Sequence, residues 1–259
     1  MDRALYNQLV PYYETVEGRD WQNEIRLIAS ILKDHKCKSV IDLGCGTGYH
    51  VRALTKLGFK STGIDISKHN IQFARDKATK ERGHPRFVVG SYYEFRPDEH
   101  YDAALCLNWS IPVRNSEVKC FLDNTHNLLR PGGYLIFDFE RISQIVWSDV
   151  GKVITGSWDL RSELVVRVSV GQMVSNVLSS RDVYLIYSKT SKMTLPNEKS
   201  RYRCDVSYRP RMFVDKSYVR FFSISEIRSL ARRSGFKLKA NFVLPRNTYK
   251  RNYAVLKKM

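Results

Sequence analysis

At 259 residues, 43% of them hydrophobic and 12% aromatic, the chain can bury a real core, which excludes wholesale disorder. The formal charge is +17, and residues 199–259 hold 17 Lys and Arg against only Asp205, Asp215 and Glu226, so an anionic partner or a solvated basic face is expected at that end. Scattered Cys37, Cys45, Cys106, Cys120 and Cys204, with no CxxC spacing, argue against a disulfide scaffold or a zinc site.

The chain lacks a long apolar run, and Met1-Asp2-Arg3-Ala4 does not open like a signal peptide. A cytoplasmic protein with reduced thiols, no transmembrane segment and no bound metal is therefore the expectation.

In chain order, residues 2–34 read as two helices, one marked by Leu9, Tyr12 and Tyr13 and the other by Trp21, Ile25, Ile28, Ile31 and Leu32. Strands and helices then alternate. Ser39-Val40-Ile41-Asp42 is a short apolar strand, and Gly44 to Lys56 turns into a helix. Thr62 to Asp65 is a second strand, and Ser67 caps a helix that runs to about Glu81. Further strands are predicted at Phe87 to Val89, Ala103 to Leu107 and Tyr134 to Phe139, with a helix from Ser116 to Leu129 before the last. Such alternation predicts a parallel sheet that binds ligands at the carboxyl ends of its strands.

After Glu140 the rhythm changes. Leu164 to Val170, Val174 to Leu178, Val183 to Tyr187 and Tyr202 to Tyr208 alternate apolar and polar residues, which predicts an antiparallel sheet with one covered face. A helix from Ser223 closed by Gly235, then strands Phe236 to Leu244 and Tyr253 to Leu256, restore the first pattern. The expected organisation is an α/β core with N-terminal helices over 1–140, an antiparallel β insertion over 141–222 serving as a substrate lid or dimer surface, and a C-terminal helix and hairpin over 223–259 that completes the core.

The chemistry concentrates in Val40-Ile41-Asp42-Leu43-Gly44-Cys45-Gly46-Thr47-Gly48. A strand ends in an acid, and alternate glycines let the backbone turn tightly and approach a ligand. A dinucleotide fingerprint would place its third glycine at Tyr49, so this GxGxG spacing fits that class poorly. Asp65, ending the second strand, suits the two hydroxyls of a ribose.

These residues resemble the S-adenosylmethionine (SAM) site of class I SAM-dependent methyltransferases. Asp42-x-Gly44-x-Gly46-x-Gly48 matches their glycine motif, Asp65 their ribose acid, and Leu129-Arg130-Pro131-Gly132-Gly133 the turn before their fifth strand. The resemblance covers about residues 20–140. It implies a Rossmann-like, doubly wound seven-stranded sheet, with SAM as cofactor and S-adenosyl-L-homocysteine as product. By resemblance the backbone of Gly44, Cys45, Gly46 and Gly48 contacts the methionine part, and Asp42 sits near its amino group. Ser91 and Tyr92 stand where relatives often carry an adenine-facing Asp, and Ile66 and Leu107 complete the expected cofactor set.

Beyond residue 140 the likeness is one of layout, to small-molecule N-methyltransferases of the glycine N-methyltransferase and nucleotide-linked aminosugar dimethyltransferase kind. It implies a small-molecule acceptor, an amine on an anionic metabolite, and a homodimer. Tyr13 and Asn108 are the candidate catalytic residues, since a Tyr hydroxyl can orient an amine or take its proton and Asn108 ends the fourth strand. Tyr6 and Trp109 are candidate pocket walls, although aromatic residues at such positions also serve as core. Arg209, Arg211 and Arg220 are candidates for a diphosphate, because guanidinium groups pair with phosphate at two points. Two other readings stay open: an RNA methyltransferase that uses the basic C-terminal quarter, and a non-catalytic module of the same fold.

Overall fold

The computed structural model describes residues 4–16, 21–79, 83–108, 110–145, 147, 150–188, 210–245 and 250–259. Five parallel strands, β1 (Ser39–Leu43), β2 (Lys60–Asp65), β3 (Arg86–Val89), β4 (Tyr101–Cys106) and β5 (Leu129–Arg141), stand in the order β3-β2-β1-β4-β5. β11 (Lys250–Lys258) adds antiparallel to β5, and β10 (Phe236–Pro245) antiparallel to β11. Together these make the expected seven-stranded, mostly parallel core sheet.

Side chains leave alternate faces of each strand, and both faces are covered. On one face Ile41, Ala104, Cys106, Leu135 and Phe137 pack under α5 (Asn115–Leu128) and α6 (Ile224–Arg233). On the other, Val40, Ala103, Leu105 and Ile136 meet α2 (Trp21–Asp34) and α3 (Tyr49–Lys56). α2 earns its place through a single apolar stripe of Trp21, Ile25, Ile28, Ala29 and Leu32. α4 (Lys68–Ala78) starts at Ser67, whose hydroxyl accepts the Asn70 N–H, and Ser223 caps α6 in the same way.

Three expectations change. The leading segment is not a full helix: short 3₁₀ turns at Ala4–Tyr6 and Val10–Tyr12 precede the single helical turn α1 (Tyr13–Val16). Pro11 explains this, since inside an α-helix it would remove a hydrogen bond and clash with the preceding turn. The insertion contains β6 (Val153–Asp159), β7 (Glu163–Val174), β8 (Val177–Ser188) and β9 (Arg211–Phe222), an antiparallel meander. β6 was not anticipated, β8 is one strand where two were expected, and the strand expected at 202–208 lies outside the described residues. Finally, the seven core strands continue into the meander, which makes one sheet of eleven strands among the described residues. β5 overruns its core neighbours, and its last residues Glu140 and Arg141 pair in parallel with Phe221 and Phe222 of β9, which joins the meander to the core.

Among the described residues, no helix is long and apolar enough to cross a membrane.

Candidate active site

β1 delivers the chain into the glycine turn, and α3 leaves it. Gly44, Gly46 and Gly48 all have positive φ, at 80°, 52° and 74°. At Gly46 the nearest atom to a Cβ would be Tyr13 Cε1, 4.0 Å away, so this backbone borders open space. Its N–H donates to Asp65 Oδ2 at 2.9 Å, and the Ser67 N–H donates to Oδ1 at 2.8 Å. Burial raises the Asp65 pKa, and those two N–H groups oppose the rise.

A cleft of about 710 Å³ opens above the turn, lined by Gly44, Gly46, Asp65, Ile66, Ser91 and Tyr92 among others. Six of the expected cofactor residues therefore meet in one place. The remaining four do not line it. Gly48 starts α3 and lies against Phe87 and Ala74. Cys45 is buried among Val51, Ile71, Ala74 and Phe87, and burial together with Asp42 and Asp65 pushes its thiol well up, so it stays protonated. Leu107 is core, and its carbonyl accepts the Ser110 hydroxyl at 2.7 Å. Asp42 is 3% exposed and sits beneath the turn.

Below the turn lies a buried polar layer that sequence patterns did not announce. Glu24 accepts from the Tyr253 hydroxyl at 2.6 Å and meets His50 Nε2 at 3.2 Å. Burial alone would raise the Glu24 pKa, but His50, the Arg251 charge and the Tyr253 hydroxyl outweigh it and hold the carboxyl well below its usual range. Asp42 has no such support: burial pushes it up to about 7, with His50 opposing and Asp65, Glu24 and Asp138 adding to the rise. Arg251 Nη1 donates to Asp138 Oδ2 at 2.6 Å and to Asn108 Oδ1 at 2.9 Å, while the Asn108 N–H donates to Asp138 at 3.0 Å. Asn108 thus stands with φ 67° at the end of β4, its amide oxygen engaged.

A second cavity, of about 370 Å³, lies between the carboxyl ends of β4 and β5 and the inner face of the meander. Asn108 and Glu140 line it from the core, and Arg167, Asp182 and Tyr184 from the meander. Tyr6 and Tyr13 line both cavities. The N-terminal segment is clamped as the wall between them. Ser67 Oγ donates to the Tyr6 carbonyl at 2.6 Å, and Glu14 accepts from Thr47 at 2.8 Å and Arg52 at 2.9 Å. On the meander side, the Tyr12 hydroxyl donates to Glu163 at 2.7 Å.

The arginines proposed for phosphate lie elsewhere. Arg211 pairs with Glu163 at 2.7 Å and donates to the Tyr12 hydroxyl at 2.9 Å, so it fastens the N-terminal wall and lines neither cavity. Arg220 is buried against Glu226, Asn115 and the Val113 carbonyl, where it ties β9 to the core. Arg209 and Trp109 lie outside the described residues. Part of the basic excess is likewise internal, since Arg251 is fully buried and Lys258 binds the His126 and Leu129 carbonyls. Glu140, Arg167 and Asp182 were missed. Continuing the two-residue alternation of β8 through its polar stretch would have aligned Ser180, Asp182 and Tyr184 on one face.

Residues 40–133 match the protein family described as a methyltransferase domain. The glycine turn, Asp65 and the turn before β5 all fall within that span. Over that span the chain is similar to a methyltransferase domain. Glycine N-methyltransferase of Rattus norvegicus is 28% identical to the chain over 147 residues, covering 51% of this chain and 48% of that protein. The chain thus spans about half the length of such curated relatives. Among solved structures, a S-adenosylmethionine-dependent methyltransferase from Clostridium acetobutylicum superposes with a TM-score of 0.76 at 14% identity, covering 98% of each chain. CalS10, an amino pentose methyltransferase from Micromonospora echinaspora, gives 0.74 at 17% identity and covers 100% of each. The likeness extends the methyltransferase fold over the meander as well as the domain.

Proposed function

We propose that the protein is a SAM-dependent N-methyltransferase whose acceptor is an amine on a small polar molecule. The observation that carries this reading is that Tyr6 and Tyr13 border both the glycine-turn cleft and the second cavity, so a ligand in each would meet at these two rings. The names of the relatives, a glycine N-methyltransferase and an amino pentose methyltransferase, support an amine as acceptor.

The residues in the cleft fit SAM. Asp65 can accept ribose hydroxyls, since a carboxylate has lone pairs beyond the two its backbone N–H partners use. The open space at Gly46 would admit the methionine part, and Ile66 and Val89 of the cleft lining would hold the base. Bound there, SAM supplies an activated methyl group on a sulfonium. The chain's part is to hold the acceptor in line and exclude water. The meander is the lid in this reading, with Tyr13 orienting the acceptor from the wall.

Labelled SAM incubated with the protein and cell extract, fractionated by size and by nuclease and protease treatment, tests the proposal. Label in the small-molecule fraction is expected; label in nuclease-sensitive material would transfer the activity to RNA. Asp65→Ala should weaken SAM binding by about 1.5–3 kcal/mol in a calorimeter, the range for lost charged hydrogen bonds. Unchanged affinity would remove Asp65 from the ribose. Tyr13→Phe should lower turnover at least about tenfold with SAM affinity intact. A wild-type rate would make Tyr13 a wall and nothing more.

A further inference from the structure

We propose that Asp182 is the counter-charge that selects a cationic amino group in the second cavity, an assignment that rests on the N-methyltransferase reading and names the residue behind its substrate class. Asp182 lies in the middle of β8, is only 6% exposed, and lines the cavity. Among the described residues no hydrogen bond or ion pair reaches its carboxylate. By contrast, the buried acids Glu24 and Asp138 are paired, Glu24 with His50 and Tyr253 and Asp138 with Arg251. An unpaired buried carboxylate works against folding, so its presence asks for a ligand that completes it.

Its surroundings deepen the demand. Directly across the ladder, Asp215 of β9 is 4% exposed, and two carboxylates in register on one face repel. Lys216 N–H donates to Asp215 at 2.9 Å. From β5, Glu140 also faces the cavity, and among the described residues of the lining the one cation is Arg167 of β7. The Arg167 guanidinium lies over the Trp158 ring, 5.7 Å from its centroid, and makes no ion pair with Asp182. Tyr6, Tyr13, Tyr184 and Tyr218 add phenol rings to the lining. Glu140 and Asp182 against one guanidinium give the described lining a negative formal balance, which attracts an ammonium and disfavours an anion.

Position supports the same role. Tyr184 shares an apolar cluster with Tyr13, and Asp182 stands two residues along β8 on the same face, roughly 7 Å further from the wall. The site therefore selects an amine-bearing small molecule and rejects its hydroxyl counterpart, because the hydroxyl would leave the carboxylate without a cation.

The test uses the intact protein loaded with S-adenosylhomocysteine, with cyclohexylamine and cyclohexanol as matched probes followed by saturation-transfer NMR. The wild type should take the amine at least about tenfold more tightly than the alcohol. Asp182→Asn should erase that preference, keep its affinity for S-adenosylhomocysteine, and raise the Tm by about 2–4 °C, since a buried charge without internal partners is removed. Asp182→Glu should keep the preference. Equal binding of both probes by the wild type, or an Asp182→Asn variant that still prefers the amine, overturns the assignment. An Asp182→Asn variant that fails to fold overturns it too, because a carboxylate without partners holds nothing together. Failure of the wild type to bind S-adenosylhomocysteine would instead sink the methyltransferase reading itself.

Discussion

Arg251→Met should destabilise the protein by about 3–5 kcal/mol, the cost of leaving a buried charge alone. Arg251 and Asp138 are both fully buried, and their contact of 2.6 Å is shared with Asn108 and lies close to Glu24. Methionine replaces the stem but not the charge, so Asp138 stays in the core without its guanidinium, although the Asn108 N–H still donates to it. The size of the effect sets this pair apart from the surface. Lys60–Glu99 and Lys119–Asp123 have comparable distances, 2.7 and 2.5 Å, yet are exposed and screened by water, so their loss should be small beside it. Urea denaturation of Arg251→Met measures the difference. Adding Asp138→Asn should recover a large part of the loss, because the uncompensated charge is then gone. A loss near that of a surface pair would mean that water reaches Asp138. The same variant frees the Asn108 amide oxygen at the floor of the second cavity, so acceptor affinity should fall alongside stability.

Gly48→Ala should cost about 2–4 kcal/mol of stability, from left-handed strain and overpacking together. At φ 74° a side chain is strained wherever it points, and here a Cβ would stand 2.6 Å from Phe87 Cε1 and 2.8 Å from Ala74 Cβ. Neither neighbour can yield readily, since Phe87 and Ala74 are buried against Ile71 and Val51. Gly46→Ala is the control. Its φ of 52° carries strain of about 1–2 kcal/mol, but its Cβ would meet nothing closer than 4.0 Å. That methyl enters the cleft, so Gly46→Ala should fold and bind S-adenosylhomocysteine poorly, while Gly48→Ala should lose its fold first. Thermal melts paired with calorimetric titration separate the two. Equal melting temperatures would show that α4 and β3 shift to make room at Gly48.

The two glycines illustrate how local information reads well. A left-handed turn demands glycine, a ribose-facing acid demands a carboxylate at a strand end, and Ser67 and Ser223 cap helices through their own hydroxyls. These needs are met within a few residues, so spacing alone exposes them. The seven core strands were legible for the same reason, because both faces of β1 and β4 are largely buried and each carries an apolar run, Val40-Ile41 and Ala103 to Cys106.

The second cavity could not be read this way. Its walls come from residues 6, 13, 108, 140, 167 and 182, brought together when β9 pairs with the overrun of β5. β8 broke the expected alternation at Ser180 and Asp182 because its inner face borders that cavity there, not apolar core. Charge was misleading in a related way. Arg211 and Arg220 look like phosphate ligands in a basic tail, yet Glu163 and Glu226, distant or hidden partners, claim them.

What the order of residues determined by itself was the α/β core, its glycine turn and the acid that faces it, since each follows from backbone strain, periodicity and capping within short windows. Only the tertiary structure decided which charges are consumed inside the fold, which polar side chains face a cavity, and where Tyr6 and Tyr13 join two sites into one. Those outcomes depend on pairings between residues more than a hundred positions apart, such as Tyr12 with Glu163 and Glu24 with Tyr253, and no local pattern encodes such a meeting.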